Sequence, residues 1–268
     1  MTEDAKKLFE YIKMVIGIKY SEMPNYYHSL PICILDDIFS LQAKYETMTL
    51  PTVKRFANHF LNGDIYIDGY LVDNFINDLE KEGLSNVMNN ILNNRQVVGG
   101  RRKIEVCYDV AKKLQKLGIQ TMKDFASFED EDYLTFSLRS VKGVGDAAID
   151  YLFMMAGDSN RVKPDIHIHH CIKDATGHDV SNEECQRLFR EVSEAAKDEY
   201  TFATPRFLDV LVWTYYSKAK FYYLHSKHIT FTPLIWSFLI FLDQNTNFAQ
   251  KVVEVLFHEQ KTNLAKSA

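Results

Sequence analysis

The segment from Leu138 to Gly157 constrains the fold most strongly, because it places two glycines between two helical patterns. Gly143 and Gly145 can adopt positive φ angles and let another backbone come close, so the segment predicts a hairpin between two helices. Such a turn exposes the N–H groups that begin the second helix, and these groups bind phosphate without any basic side chain. The alternative is an ordinary turn between two helices, in which the glycines only allow the backbone conformation and no phosphate is bound.

Most of the remaining chain also shows helical periodicity, and few segments alternate as half-buried strands do. The pattern predicts helices at 3–18, 31–44, 51–61, 70–82, 84–93, 99–118, 182–198 and 204–218, a short one beginning in 124–134, and two more in 230–268. The segment 63–69 is the exception, and it predicts a small hairpin or an extended loop. We therefore predict an all-α protein with a two-part helical core and a cleft between the parts.

The chain of 268 residues is 46% hydrophobic, which is typical of a globular protein with a core. Its formal net charge is −5, so contact with nucleic acid would have to come from a local patch. The segment 101–117 has a local charge of +4 and predicts either a phosphate-facing surface or an ordinary solvated helix face. Its basic residues are Arg101, Arg102, Lys103, Lys112, Lys113 and Lys116.

Four scattered cysteines argue against a zinc site or an iron–sulfur cluster, because both need closely spaced ligands. They are Cys33, Cys107, Cys171 and Cys185, and we expect free thiols in a reducing compartment. The amino-terminal segment lacks the pattern of a cleaved secretory signal. The most apolar run, Leu234–Leu242, is shorter than the ~20 residues that cross a bilayer. We therefore expect a cytoplasmic protein with no membrane partner.

An aspartate follows the hairpin at a position suited to begin a helix. Pro164 excludes helix before it, and Asp165 then precedes Ile166 as a natural N-cap. A purely structural cap is one interpretation of this residue. The other is a carboxylate that takes part in chemistry, which the preceding hairpin favours.

Together, the hairpin and this aspartate resemble the helix-hairpin-helix DNA glycosylase superfamily. In that family an LPGVG-type hairpin precedes a VDxH-type segment whose aspartate is catalytic; this chain has VKGVG and PDIH. Ala147 and Asp165 are 18 residues apart, which matches the spacing of the family. Ser40–Lys44 also resembles the SxQxT-type motif of the family, in which the glutamine enters the gap left by a flipped base. Gln42 is therefore either such a wedge or a surface glutamine.

The resemblance covers about residues 30–220. It suggests a glycosylase core at 30–225, with the hairpin at 138–157, between an amino-terminal helical segment at 1–29 and a carboxy-terminal helical extension at 226–268. It implies double-stranded DNA with a damaged base as the partner, bound by a monomer. The residues that it places on the DNA are Gln42, Lys142, Gly143, Val144, Gly145, Ala147 and His167.

The resemblance also implies the chemistry. Asp165 would stabilise the positive charge that develops on the sugar when the N-glycosidic bond breaks, and it would position the attacking water. Bifunctional relatives carry a lysine where this chain has Ala147, so a monofunctional enzyme is expected. The absence of cluster cysteines points to the cluster-free branches, such as alkylpurine and oxoguanine-type enzymes, and the absence of the lysine makes the alkylpurine branch the better analogy. No cofactor is expected, except for a structural Na⁺ or K⁺ on the carbonyls of Arg139, Val141 and Val144.

Three alternatives remain open on the sequence alone. One is a DNA-binding protein that keeps the hairpin but has no catalysis, and another is a helical protein with a chance glycine turn. The third is a glycosylase and lyase that uses a displaced lysine, either Lys142 or Lys163. His167, His169 and His170 could be metal ligands or ordinary polar helix residues. Dense aromatic residues between 213 and 223 could line a stacking pocket or pack a core.

Overall fold

The computed structural model describes residues 1–20 and 27–225, with side chains as far as residue 217. This part is mostly helical, so the all-α prediction is confirmed. The helices are α1 (Glu3–Tyr11), α2 (Leu30–Ser40), α3 (Leu50–Phe60), α4 (Val72–Glu82), α5 (Leu84–Asn86), α6 (Lys103–Lys116), α7 (Met122–Ala126), α8 (Glu131–Arg139), α9 (Asp146–Met155), α10 (Ile166–Thr176), α11 (Asn182–Ala196) and α12 (Pro205–His225). Short π-helical turns lie at Ile12–Ile16, Tyr45–Thr49 and Val87–Ile91.

The larger hydrophobic core surrounds α2. Every residue of this helix from Leu30 to Phe39 is buried, and its neighbours are α3, α4, α6 and α9. Apart from Asp36 and Asp37, these residues are apolar, and a helix with apolar residues on every side lies inside the protein because no face of it meets water favourably. Pro31 fits in the first turn, where a helix needs no N–H from its residues.

A second hydrophobic core joins the amino-terminal helix to the last three helices. Leu8 of α1 is buried with Ile172 of α10, Phe189 of α11 and Leu208 of α12. Helices α1 and α11 are amphipathic, with polar outer faces, and they begin at the side-chain caps Thr2 and Ser181. The described chain therefore contains two helical cores. No described helix is long and apolar enough to span a membrane.

The structure decides between the two alternatives for the segment 63–69 and adds a strand hairpin that was not predicted. The segment 63–69 forms turns and no strand, and the side chain of Asp64 accepts a hydrogen bond from the N–H of Tyr66. The observed strands are β1 (Val97–Val98) and β2 (Arg101–Arg102), which pair antiparallel around Gly99 and Gly100. This strand hairpin was not predicted, because two residues on each side are too few to show an alternating pattern. The predicted elements in 226–268 lie outside the described residues.

The end of α2 also differs from the prediction, since the helix stops at Ser40 and not at residue 44. The Nζ atom of Lys103 lies 3.0 Å from the carbonyl oxygen of Phe39 and 2.6 Å from that of Leu41. This buried ammonium therefore satisfies carbonyls that a longer helix would bond internally. Burial lowers the pKa of Lys103 to about 8. Gln42 consequently lies in a loop, with a φ of 54°, and not on the helix.

The two hairpins of the larger core touch each other through their backbones. A Cβ atom placed on Gly99 would lie 2.8 Å from the Cα of Gly143, and one placed on Gly143 would lie 3.0 Å from the carbonyl oxygen of Val98. Both glycines have positive φ, at 57° and 106°. The strand hairpin is thus held against the turn between α8 and α9 by a contact that permits no side chain.

We expect Gly99→Ala to destabilise the protein more than Gly100→Ala. Both positions have positive φ, which costs alanine about 1–2 kcal/mol. Only Gly99 faces another backbone, whereas Gly100 has nothing within 4 Å of the added Cβ. The clash should add about 1–3 kcal/mol for Gly99 alone. Urea denaturation of both variants measures the difference, and equal losses would contradict the close contact.

Candidate active site

The predicted helical hairpin is present and its second helix has an open amino terminus. The first helix, α8, ends at Arg139, a turn follows, and α9 begins after Gly145. No side chain caps α9, so its first N–H groups stay open to an external acceptor. The carboxylate of Asp146 in the first turn is paired with Arg139, which partly offsets its negative charge at this end.

Asp165 caps the next helix, as predicted. Its Oδ1 accepts hydrogen bonds from the N–H groups of His167 at 2.8 Å and Ile168 at 3.3 Å. The positive end of the α10 dipole stabilises the carboxylate there. Both bonds end on Oδ1, so the cap does not use Oδ2. Asp165 also lines the cavity described next, which means that the cap and the cavity wall are the same residue.

A cavity of about 410 Å³ lies where residues of both helical cores meet. Small-molecule sites have volumes of roughly 300–1,000 Å³, so this cavity can hold a compact organic group. Four acidic or basic side chains lie on its wall, namely Glu46, Lys163, Asp165 and Asp209. Five aromatic side chains also line it, namely Tyr27, Tyr45, Tyr66, Tyr151 and Trp213.

A buried carboxylate behind the cavity fixes three of these aromatic rings. Asp36 accepts hydrogen bonds from the hydroxyls of Tyr27 at 2.7 Å, Tyr45 at 2.8 Å and Tyr151 at 3.1 Å. Burial raises the pKa of Asp36, and the three hydroxyls and the charge of Lys163 act in the opposite direction. Because all three rings bond to one carboxyl group, their positions relative to one another are set.

Lys163 brings a positive charge to this network from the segment that carries Asp165. Its Nζ lies 2.8 Å from the Oγ of Ser40 and 3.8 Å from the centroid of the Tyr151 ring. Burial raises the pKa of Asp37 well above its ordinary value, whereas the ammonium of Lys163 lowers it. Lys163 is therefore the counter-charge for two adjacent buried carboxyl groups, Asp36 and Asp37.

Asp209 is a cavity residue that the sequence analysis missed. It lies on α12, is buried, and accepts a hydrogen bond from the N–H of Lys163 at 2.9 Å. Burial raises its pKa to about 7, and the negative charge of Asp165 acts in the same direction. Asp209 therefore ties the segment before Asp165 to α12. A single aspartate inside the apolar run of α12 was the signal that could have revealed it.

The remaining predicted DNA contacts lie outside the cavity wall. Gln42, Lys142 and Gly145 are exposed, and the other predicted contacts, namely Gly143, Val144, Ala147 and His167, are half-buried. His167 donates its backbone N–H to Asp165. The proposed cation ligands stay a prediction; the carbonyl of Val141 already accepts a bond from the N–H of Val144 at 3.0 Å.

The predicted basic patch is only partly available to a partner. Lys103 is buried, Arg101 is paired with Asp109, and Lys112 lies 3.8 Å from Glu80. Of the three neighbouring histidines, His169 contacts Asn182 at 3.0 Å. No group of three histidine, cysteine or acidic residues suited to a metal occurs in the described part of the chain.

We expect Asp209→Asn to change how stability depends on pH. A carboxyl group with a raised pKa stabilises the fold while it is protonated, and this contribution is lost as pH rises through the folded pKa of about 7. Wild-type protein should therefore lose stability relative to the variant between about pH 4 and about pH 7, by at most about 1.4 kcal/mol per pH unit. Urea unfolding over this range, with exposed Asp198→Asn as control, measures the effect. Parallel wild-type and D209N curves would contradict it.

Comparison with known proteins identifies one relationship. Neither the curated proteins nor the solved structures contain a significant match. A family model with the description "Domain of unknown function (DUF8548)" matches residues 6–217, a range that includes every residue of the cavity wall. Because this match covers more than half of the chain, the protein belongs to the DUF8548 family.

Proposed function

We propose that the protein is a DNA glycosylase that hydrolyses the N-glycosidic bond of a damaged base flipped out of duplex DNA. The observation that carries this proposal is the cavity that Asp165 shares with five aromatic side chains. Helix α9 adjoins both parts of the proposed site. Its amino terminus follows the glycine hairpin, and its Tyr151, Met154 and Met155 line the cavity. A DNA backbone held at the hairpin would thus lie one helix away from the pocket.

The cavity suits a flipped base because five aromatic side chains line it. A base inside a duplex is shielded from attack, so an enzyme must take it out of the stack and compensate for the lost stacking. Aromatic side chains provide a replacement surface, worth about 1–3 kcal/mol per base. The ring of Trp213 meets that of Tyr45 edge to face at 6.0 Å, and Tyr27 stacks on Tyr66 at 6.2 Å. These rings form the surfaces on which a planar base could lie.

Asp165 is the residue that would act on the sugar. Breaking the N-glycosidic bond builds positive charge on the sugar ring, and a nearby carboxylate stabilises that charge. The cap bonds of Asp165 hold its Oδ1 in place, while its Oδ2 remains outside the cap. This second oxygen would face the sugar and orient the attacking water. Asp209 would then hold the Lys163 backbone, and through it the position of Asp165.

The composition of the wall favours an alkylated purine as the damaged base. Alkylation gives the purine positive charge, and a cation is attracted to the faces of aromatic rings. Three carboxyl groups on the same wall, those of Glu46, Asp165 and Asp209, outnumber the one ammonium group, that of Lys163, and add to this preference. A monofunctional enzyme agrees with Ala147, which has no amine to attack the sugar. We further propose a cytoplasmic monomer that needs no cofactor for the chemical step.

We expect cleavage of one or more damaged duplexes to depend on Asp165. The assay offers duplexes that each contain one lesion, including alkylated purines, oxoguanine, uracil and hypoxanthine. Strand cleavage should appear only after hot alkali, because a monofunctional enzyme leaves an abasic site. Asp165→Asn should lower the rate by roughly 100-fold or more, since the amide carries no charge to stabilise the sugar cation.

Exposed Asp198→Asn is the matched control and should retain the wild-type rate. Circular dichroism should show that D165N stays folded, since an asparagine can also cap a helix. If no duplex is cleaved by wild-type protein that still binds DNA, a non-catalytic DNA-binding protein replaces the present proposal.

Lys163 supports a second candidate function, because its ammonium group lines the same cavity as Asp165. A free amine there could attack the sugar and add lyase activity through a Schiff base. The contacts of Nζ with Ser40 and Tyr151, and its charge beside Asp36 and Asp37, favour a structural ammonium instead.

We therefore expect no covalent adduct when the protein and a cleavable duplex are treated with borohydride, which reduces a Schiff base to a stable bond. On a denaturing gel, wild type, Lys163→Met and Lys142→Met should all lack a band for the covalent protein–DNA adduct. An adduct that forms with wild type and K142M but not with K163M would establish the lyase and overturn the monofunctional assignment.

A further inference from the structure

We infer that the strand hairpin β1–β2 is a second phosphate-contacting element, which extends the DNA-binding surface beyond the helical hairpin. This inference rests on the proposed function, since it takes duplex DNA as the partner. The double-turn surface, as we name it, consists of Gly99 and Gly100, the turn Lys142–Gly145, and the side chains of Arg95 and Arg102.

The turn of the strand hairpin and the turn of the helical hairpin form one continuous backbone surface. A Cβ on Gly99 would lie 2.8 Å from the Cα and 3.0 Å from the N atom of Gly143, so no side chain separates the turns. Gly100 is exposed and nothing lies within 4 Å of the side where its Cβ would be. A phosphate chain that reaches the helical hairpin would therefore also reach the tip of the strand hairpin.

The unpaired charges around this surface are positive. Its acidic neighbours are already paired: Asp109 and Glu105 lie beside Arg101, and Asp146 lies beside Arg139. Arg95, Arg102 and Lys142 are exposed, and none of their side chains forms an ion pair among the described residues. The carboxylate of Glu105 does accept a hydrogen bond from the backbone N–H of Arg102, at 3.3 Å. In a chain with a net charge of −5, three unpaired cations around two adjoining turns make a local positive site.

Arg95 and Arg102 are both exposed, and hydrogen bonds orient their side chains. Arg102 pairs with Val97 across the strand hairpin, and both residues are exposed, whereas Val98 on the other face is buried. The guanidinium of Arg102 bonds to the carbonyl oxygen of Arg95 at 2.6 Å, and that of Arg95 bonds to the side chain of Asn89 at 2.6 Å. Both contacts use neutral acceptors, so each guanidinium is oriented by a hydrogen bond while its charge remains available for phosphate.

The inference is tested by the salt dependence of binding to a short undamaged duplex, which requires no catalysis. Each phosphate contact that a substitution removes lowers the slope of log affinity against log salt by about 0.9. We expect Arg95→Gln and Arg102→Gln each to weaken binding at low salt and to reduce the slope in this way. The charge-conserving variants Arg95→Lys and Arg102→Lys should keep most of the slope.

Arg190→Gln on α11 is the matched control, since this exposed arginine lies on another helix, and its slope should equal that of wild type. Equal slopes for R95Q, R102Q and R190Q would overturn the inference while leaving Asp165-dependent cleavage unaffected. Reduced slopes without cleavage of any lesion would uphold the double-turn surface and refute the glycosylase. If wild type does not bind the duplex, both proposals fall. Thermal unfolding shows whether each variant is folded.

Discussion

The buried carboxylate of Asp36 is the interaction on which the candidate site depends. A carboxyl group inside a protein is costly unless hydrogen bonds and an opposite charge compensate for the lost water. Here the compensation comes from both near and distant parts of the chain: Tyr27 and Tyr45, each nine residues from Asp36, Tyr151 on α9, and the ammonium of Lys163. The hydrogen bonds and the opposite charge that stabilise Asp36 thus bring these four cavity residues together.

The same network sets where Asp165 lies. Lys163 is two residues before it, and the side chain of Lys163 is held by Ser40 of α2 while its backbone N–H is held by Asp209 of α12. The short segment from Lys163 to Asp165 is thereby fixed to both helical cores. In the proposed function, the carboxylate of Asp165 would benefit from such fixation, because small displacements of a catalytic group reduce the rate strongly.

Local sequence predicted those parts of the structure that depend on local rules. The glycine hairpin was predictable because Gly143 needs a positive φ, and the start of α10 was predictable because Pro164 and Asp165 are a break followed by a cap. The cavity was not predictable in the same way. Asp209 and Asp165 are far apart in sequence and meet only in the folded chain. The end of α2 was missed for a similar reason, since it depends on Lys103, which is over sixty residues away.

The amino termini of the consecutive helices α9 and α10 show how similar backbone groups can have different roles. The amino terminus of α10 is filled by its own Asp165, so its N–H groups are occupied and orient that carboxylate. The amino terminus of α9 has no side-chain cap, and its N–H groups remain open to an external anion. In the proposed function, the amino terminus of α10 therefore suits a reacting carboxylate with a fixed position. The amino terminus of α9 suits a phosphate that binds reversibly.

This arrangement has a consequence for selectivity in the proposed function. A protein that binds phosphate mainly through neutral N–H groups and a few cations releases few counterions. Its affinity for undamaged DNA is therefore modest. The energy for unstacking a base, a few kcal/mol, must then come largely from the aromatic cavity, where stacking returns about 1–3 kcal/mol. These two quantities nearly balance for a normal base. A damaged base, which costs less to unstack or binds the aromatic wall better through its charge, shifts the balance towards the cavity.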